Sequence, residues 1–457
     1  MIIDYTKPFL LVVLTIFLLP ISIFAQFGVN HLIYDCPEVC NAYDVAAADL
    51  DGDGDKDIIA SLYLDEKVVW YQNDGKGNFS TENIIAAEYP WVRSVFATDI
   101  DEDGDIDVLA GNSWNSKVSL FENEGNGSFK AEKVITRKAD SPRTVVAADL
   151  NNNGRKDVLI ASYLDSKVSW YANMGNGNFG EENKITTGAF SATSAVAADL
   201  DNDGDLDVVS SQLQFNTIAW YENMGGGNFT NQIRISNKAS SPEVVDVADI
   251  DGDGDMDVIS GGTSQLVWYE NDGAATFSDP ITIDDKVLLI NDLKLADIDT
   301  DGDIDLLVAA DRTDVFGLYE NLGDGTFAPQ VIIDAERDRP FSVEVADLDA
   351  DGDMDVVTAS LKDGIISWHP NALLTDIKYT PLPKNKVNIY PNPTTGHFVV
   401  ETELTGTYVY TIFSIDGKKI TTSMDGIFNT PLPSGMYLLE VRAVSNGATV
   451  YKKVVVE

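Results

Sequence analysis

Cysteine, histidine and positive charge are all scarce in this 457-residue chain, and each scarcity closes off a class of protein. Two cysteines cannot build a disulfide scaffold, and with only 3 histidines beside them a Cys/His zinc centre is improbable. Lys and Arg number 31 against 74 Asp and Glu, a formal net charge of −43. Such a balance repels nucleic acid and anionic membrane surfaces. Long apolar runs are also rare: only Phe9 to Phe24 approaches the length of a membrane span. No window shows the 3.6-residue apolar period of a useful helix, and no Gly-x-Ser-x-Gly elbow is present. What is abundant is acid and β-forming apolar residue. The chain is 44% hydrophobic with 17 Tyr and 19 Phe, enough to bury a core and too much for disorder. At this length one compact core is not expected, so several domains or a repeat architecture follow. The partner that suits so acidic a surface is a divalent cation.

Lys7 precedes the apolar run from Phe9 to Phe24, which ends at Ala25 and Gln26. A short run with a basic flank and a small residue at its end reads as a cleaved signal peptide over residues 1–25. The competing reading is an N-terminal membrane anchor. Cys36 and Cys40 then face an oxidising, calcium-rich exterior, where a local disulfide and two free thiols both stay open.

Self-similarity dominates the rest. The string Asp49-Leu-Asp-Gly-Asp-Gly-Asp-Lys-Asp57 returns from Asp99, Asp149, Asp199, Asp249, Asp297 and Asp347, at intervals of 50 or 48 residues. Each is followed by a Trp70-Tyr71-x-Asn73-x-Gly75-x-Gly77-x-Phe79 string, except that the seventh stops at Asn371. Between them lie short β-rich runs; in the third copy these are Thr144 to Leu150, Asp157 to Ser162, Val168 to Tyr171 and Phe179 to Ile185. Four strands per period of about 50 residues predict an all-β, seven-bladed β-propeller. Small residues precede each loop (Ala48, Thr98, Ala148, Ala198, Ala248, Ala296 and Ala346), as innermost strands converging on an axis require. The seventh copy lacks a fourth strand, and Phe27 to Ile33 aligns with one. The N-terminal strand is therefore expected to complete blade seven and remove the sheet edge.

Calcium takes six to eight oxygen ligands, mostly carboxylates and carbonyls. Alternating acids surround one centre in each loop. Position 1 is Asp49, Asp99, Asp149, Asp199, Asp249, Asp297 and Asp347; position 3 is Asp51, Asp101, Asn151, Asp201, Asp251, Asp299 and Asp349. Position 5 is Asp53, Asp103, Asn153, Asp203, Asp253, Asp301 and Asp351; position 9 is Asp57, Asp107, Asp157, Asp207, Asp257, Asp305 and Asp355. Position 7, offering its backbone carbonyl, is Asp55, Asp105, Arg155, Asp205, Asp255, Asp303 and Asp353. Gly at position 6 permits the sharp turn. An EF-hand is rejected, since position 12 is never Glu and a strand follows where a helix should. A bare Asp/Gly turn is the bland alternative, but acids converging seven times without a cation would repel one another. Up to seven calcium ions are expected, with the third copy weakest because Asn151 and Asn153 lower its charge.

The repeated Asp-x-Asp-x-Asp-Gly-x-x-Asp loop with its Phe/Gly/Asn string resembles the FG-GAP/VCBS repeats of integrin-α-like propellers, over residues 27 to 371. The resemblance implies a loop between strands 1 and 2 of each blade that holds structural calcium, and members that serve in adhesion or act on carbohydrate. After the propeller (26–371) and a Pro- and Lys-bearing linker (372–386), residues 387–457 show short strands of a small β-sandwich. Tyr390-Pro-Asn-Pro-Thr-Thr-Gly396, Ser434-Gly-Met-Tyr-Leu and Lys452-Lys-Val-Val-Val-Glu457 resemble the type A C-terminal sorting domain of type IX secretion in Bacteroidetes-type bacteria. That resemblance implies a secretion-machinery partner and a surface or released protein.

His31, His369 and His397 sit in no nucleophile pattern, and metal binding accounts for the carboxylate pairs. A calcium-stabilised binding or adhesion module is therefore favoured over a polysaccharide-active propeller enzyme. Strand direction places the acidic loops on one face and the variable loops on the other. That second face carries Tyr63, Trp91, Trp114, Tyr163, Phe190 and Phe215. Tyr43, Arg93, Arg143, Thr193, Glu243, Asn291 and Phe341, six residues before each loop, should ring the channel mouth. Exposed aromatics there suit a glycan or a surface protein ligand. The bland reading has them capping blade interfaces, with the arginines balancing local acid.

Overall fold

A computed structural model describes residues 27–28, 30–36, 41–371 and strand segments within 387–456. The apolar run from Phe9 to Phe24, the linker 372–386 and His397 lie outside the described residues. No helix among the described residues is long and apolar enough to cross a membrane.

Seven four-stranded antiparallel sheets follow one another along 31–371. Blade one comprises Ala42–Ala48, Asp57–Leu62, Lys67–Tyr71 and Asn83–Ala86, paired in that order. Every residue of its second strand is buried, because both faces of the blade meet a neighbouring blade. That explains the continuous Ile58-Ile59-Ala60 run where a one-sided sheet would alternate. The buried side chains form one cluster per interface. Ile59, Trp70 and Val68 pack on Val95, Val108 and Phe121 of blade two, and the last cluster joins Val357 and Trp368 of blade seven to Val45 and Tyr71 of blade one.

The ring closes as its phase requires. His31–Tyr34 pairs with Ile366–His369 as the outer strand of blade seven, with His31 opposite Trp368 and Phe27 bridging Asn371. A second tie crosses the same seam: Asn73 Nδ2 donates to Leu348 O at 2.8 Å. The equivalent bond recurs around the ring, from Asn123 to Leu50, Asn173 to Ile100, Asn223 to Leu150, Asn271 to Leu200, Asn321 to Ile250 and Asn371 to Ile298. This is what the repeated Asn is for. Gly77, at φ +69°, lies so close to Trp368 that a Cβ there would sit 2.1 Å from the indole. Gly127, Gly227 and Gly325 cover Trp70, Trp170 and Trp268 in the same way.

The tail strands form a small β domain of two sheets. One orders Val387–Tyr390, Phe398–Thr402 and Ile427–Phe428; the other orders Lys419–Ser423, Tyr408–Ser414, Gly435–Ala443 and Thr449–Val456. Phe398, Val400, Tyr410, Ile412, Leu439 and Val454 are among its core. The sequence pattern predicts tail strands at Val387 to Tyr390, His397 to Glu401, Tyr408 to Ser414, Met436 to Arg442 and Ala448 to Val455. Lys419–Ser423 and Ile427–Phe428 are additions to these. The first has a single large apolar side chain, Ile420, which is exposed, so only backbone pairing to Tyr408–Ser414 reveals it.

Candidate metal loops and axial mouth

Each acidic loop joins the innermost strand to the second, and its own backbone shapes it. Asp49 accepts from Gly52 N at 2.8 Å and Gly54 N at 3.0 Å, while Asp53 accepts from Asp55 N at 3.0 Å. Gly at position 6 has φ of +86° to +101° in all seven loops, as its spacing predicts. Position 4 is left-handed as well, even where it is Glu102, Asn152, Asn202, Thr300 or Ala350. Gly52 and Gly252 take that region freely and Asn152 and Asn202 tolerate it, so only Glu102, Thr300 and Ala350 give no sign of it.

The carboxylates converge. Oxygens of Asp49, Asp51 and Asp53 lie within 4.8 Å of one another, as do those of Asp99, Asp101 and Asp107, and of Asp297, Asp299 and Asp305. Groups of the same kind form at Asp199, Asp201 and Asp203, and at Asp249, Asp251 and Asp257. The position-9 Asp is buried and doubly engaged: Asp57 accepts from Leu50 N and Asn73 N, both at 2.9 Å. Burial pushes its carboxyl up to about 7 against those donors, and Asp51 and Asp53 add repulsion. Asp107, Asp207, Asp257, Asp305 and Asp355 are raised to about 7 with burial again the leading cause. Enclosed oxygens of Asp297, Asp347 and Asp349 have no hydrogen-bond donor. A hard divalent cation is what this donor set fits.

Loop three differs in kind. Asn151 Nδ2 donates to Asp157 at 2.8 Å, and Arg155 Nε pairs with Glu102 of blade two at 3.4 Å. Within loop three the Asn151 amide meets Asp157 where the other loops place a third acid, and Asp157 rises only to about 6, again through burial.

At the other end of the axis, Tyr43, Arg93, Arg143, Glu243, Asn291 and Phe341 line a mouth cavity of about 350 Å3, and Thr193 lines the channel below. Arg93 donates to the hydroxyls of Tyr43 and Tyr63, and Arg143 to Tyr43 at 3.3 Å. Arg143 also lies over the Tyr163 ring, 4.7 Å from its centroid. The aromatic rings form a run: Phe341 to Tyr43 at 4.1 Å, Tyr43 to Tyr63 at 5.4 Å, Tyr63 to Trp91 at 5.9 Å and Trp91 to Trp114 at 4.6 Å. Phe190 and Phe215 make a separate T-shaped pair. Eight of the ten aromatic and arginine candidates thus meet at one place.

The sequence reading missed Arg339, which pairs bidentately with Asp311 at the same mouth. Its position was available as a repeat column. Asn41, Trp91, Ser141, Ser191, Ser241, Leu289 and Arg339 all occupy it, and all are left-handed, with φ of +46° to +64°.

The channel between the two ends encloses about 510 Å3. Blades one, five, six and seven contribute Asp44, Asp246, Lys294, Asp292 and Glu344, while blades two to four contribute Phe96, Val146 and Val196. Ser342 Oγ sits 3.1 Å from Asp44 and 2.9 Å from Asp292, and Lys294 pairs with Glu344 at 3.1 Å. Burial, then the charge of Asp292, raises the Asp44 carboxyl to about 7. His369 is buried between Asp334 and Thr358, and burial holds it down to about 4. Cys36 is disulfide-bonded; the other cysteine, Cys40, falls outside the described residues.

The FG-GAP-like repeat matches residues 49–110, 99–160, 153–210, 199–260, 249–308 and 297–358. With most of the chain so covered, this protein belongs to the FG-GAP-like repeat family. The secretion system C-terminal sorting domain matches residues 388–457, which marks the chain for type IX export to the cell surface or beyond. Among solved structures, a lectin of Agrocybe aegerita, described by its specific recognition of non-reducing terminal N-acetylglucosamine, is similar at 20% identity and a TM-score of 0.51, covering 65% of this chain and 81% of its own. A BBS1N chain solved in complex with ARL6DN is similar at 10% identity and a TM-score of 0.54, covering 76% of this chain and 97% of its own. Both likenesses concern the fold. No curated protein matches.

Proposed function

We propose that this exported propeller is a calcium-stabilised binding or adhesion module, presented outside the cell after removal of residues 1–25, whose ligand face is the axial mouth. The observation that carries the reading is the unbroken run of rings from Phe341 through Tyr43, Tyr63 and Trp91 to Trp114, beside Arg93 and Arg143. Trp114 is 63% exposed at the end of that run, where burial against a blade would be the purely structural use of an indole. Calcium would be held by the side chains at loop positions 1, 3, 5 and 9 and the carbonyl at position 7. It supplies charge neutralisation that fixes one end of the ring, leaving the other end rigid enough to preorganise a site. A glycan is the ligand class such a platform suits, and the Agrocybe lectin shows the same fold in a protein described as recognising a sugar. The sorting tail serves the secretion machinery. Screening the mature protein on a glycan array, with and without calcium and with Trp114→Ala alongside, tests this. Glycan binding lost in Trp114→Ala is expected; binding untouched by that variant would move the ligand face elsewhere.

A further inference from the structure

We infer that the mouth recognises a single carboxylate on an otherwise uncharged saccharide, with Arg93 and Arg143 taking the carboxylate and the rings beside them carrying the sugar. The inference rests on the mouth being the ligand face, and names what that face selects.

Carboxylates outnumber cations here, 74 against 31, yet among the described residues Arg137, Arg234 and Arg312 also form no ion pair. What sets Arg93 and Arg143 apart is their place together at the mouth and not the lack of a carboxylate partner. Arg155, Arg337 and Arg339 each have one. Arg93 and Arg143 form no ion pair among the described residues; the side-chain acceptors of their hydrogen bonds are neutral phenol hydroxyls. Their Nε atoms are enclosed and have no acceptor at all. Those enclosed atoms are out of a ligand's reach, but each Nη of the planar guanidinium carries two hydrogens, and the pair of Nη groups is shaped to give a carboxylate parallel hydrogen bonds. Within the same cavity Arg339 and Asp311 neutralise each other, and Glu243 faces both free arginines without closing to an ion pair. Two guanidinium groups against one carboxylate leave a locally positive spot.

The rest of the molecule limits what can reach it. A net charge of −43 repels a polyanion over long range, so a chain of uronates or a nucleic acid is disfavoured while one acid group on a neutral oligosaccharide is not. Outward from the arginines, Tyr63 and Trp91 stack within 12° of parallel and lead to exposed Trp114. That is a platform for the apolar faces of successive sugar rings.

The test is calorimetry on the full mature chain in saturating calcium, comparing cellobiouronic acid with cellobiose and sialyllactose with lactose. The acidic member of at least one pair is expected to bind about tenfold or more tightly than its neutral partner, and that preference should shrink as salt is raised. Arg93→Gln and Arg143→Gln should each abolish the preference. Arg93→Lys and Arg143→Lys, which keep the charge and lose the fork, should retain part of it, with melting curves of all four showing the fold intact. Trp114→Ala should weaken acidic and neutral sugars alike. Equal binding of acidic and neutral members, lost in Trp114→Ala, would overturn the carboxylate assignment and leave the ligand face standing. Binding indifferent to the arginine and Trp114 variants would remove the ligand face itself. No binding by any of the four sugars overturns the inference, and so does N-acetylglutamate binding as tightly as the acidic sugars.

Discussion

At one end of the ring seven loops repeat a single acidic spelling with one variant; at the other, the equivalent positions are Tyr43, Arg93, Arg143, Thr193, Glu243, Asn291 and Phe341. The scaffold between them is the same blade seven times over. Where every blade presents the same converging carboxylates, the repeat keeps its residues; at the proposed ligand mouth, which several blades build together, the repeat breaks. Loop three sharpens the point. Its Asn151 donates to Asp157 and its Arg155 pairs with Glu102 of blade two, so the end that is uniform holds one loop with fewer converging carboxylates.

The largest effect should come from stripping the uniform end. With free calcium about 100-fold above Kd each site contributes about 2.7 kcal/mol, so thermal melts of the mature protein in EDTA and in millimolar calcium should differ by many degrees. Coincident transitions would show that the loops need no ion. Next comes rewriting loop one as loop three, with D51N, D53N and D55R together. At saturating calcium this should cost part of one site's share of about 2.7 kcal/mol and leave the calorimetric stoichiometry unchanged, with loop one now filling late beside loop three. The reverse change, N151D, N153D and R155D, should make loop three fill together with the others, where the parent loop three fills last; anomalous scattering at limiting calcium distinguishes the two.

A smaller effect lies in the channel. Asp44 has a folded pKa of about 7, above its unfolded value, so the stability its proton confers is present in acid and is lost as pH rises through about 7. Asp44→Asn, whose amide can still accept from Val95 N and donate to Ser342, should therefore stabilise the protein by on the order of 1–2 kcal/mol at pH 8 relative to pH 5. Urea titrations at the two pH values measure that; a pH-independent difference would mean Asp44 does not titrate in this range. The smallest effect belongs to the mouth. Arg143→Gln should cost no more than about 1 kcal/mol, the size of one hydrogen bond to Tyr43 and a stack on Tyr163. A large loss there would reclassify Arg143 as structural.

The blade count, the strand phase and the acidic loops are legible in the residues because a period repeated seven times averages out local ambiguity. The closing strand is legible for the same reason, since Phe27 to Ile33 matches a column vacant in only one repeat. The mouth is legible only in part. Register places Tyr43, Arg93 and Arg143 around one axis, yet the contact between Trp91 and Trp114 depends on how loops from adjacent blades lean together. The left-handed column that holds Trp91, Leu289 and Arg339 has no consistent residue type, since tertiary packing imposes its backbone. Lys419–Ser423 escaped notice because its partner strand, and not its own pattern, makes it a strand.

The strand that a ribosome makes first is the one the ring uses last. His31 waits for Trp368, so nearly the whole propeller must be laid down before either finds its partner. Because each blade touches only its neighbours, the earlier blades can pack as they arrive, forming an arc that lengthens without becoming circular. Its two flanks stay raw until the ends meet. The entropic cost of that meeting grows only with the logarithm of the chain between them, so the delay is one of sequence and time more than of free energy. The ring therefore cannot close before residues 366–371 are in place, whatever order the other blades take.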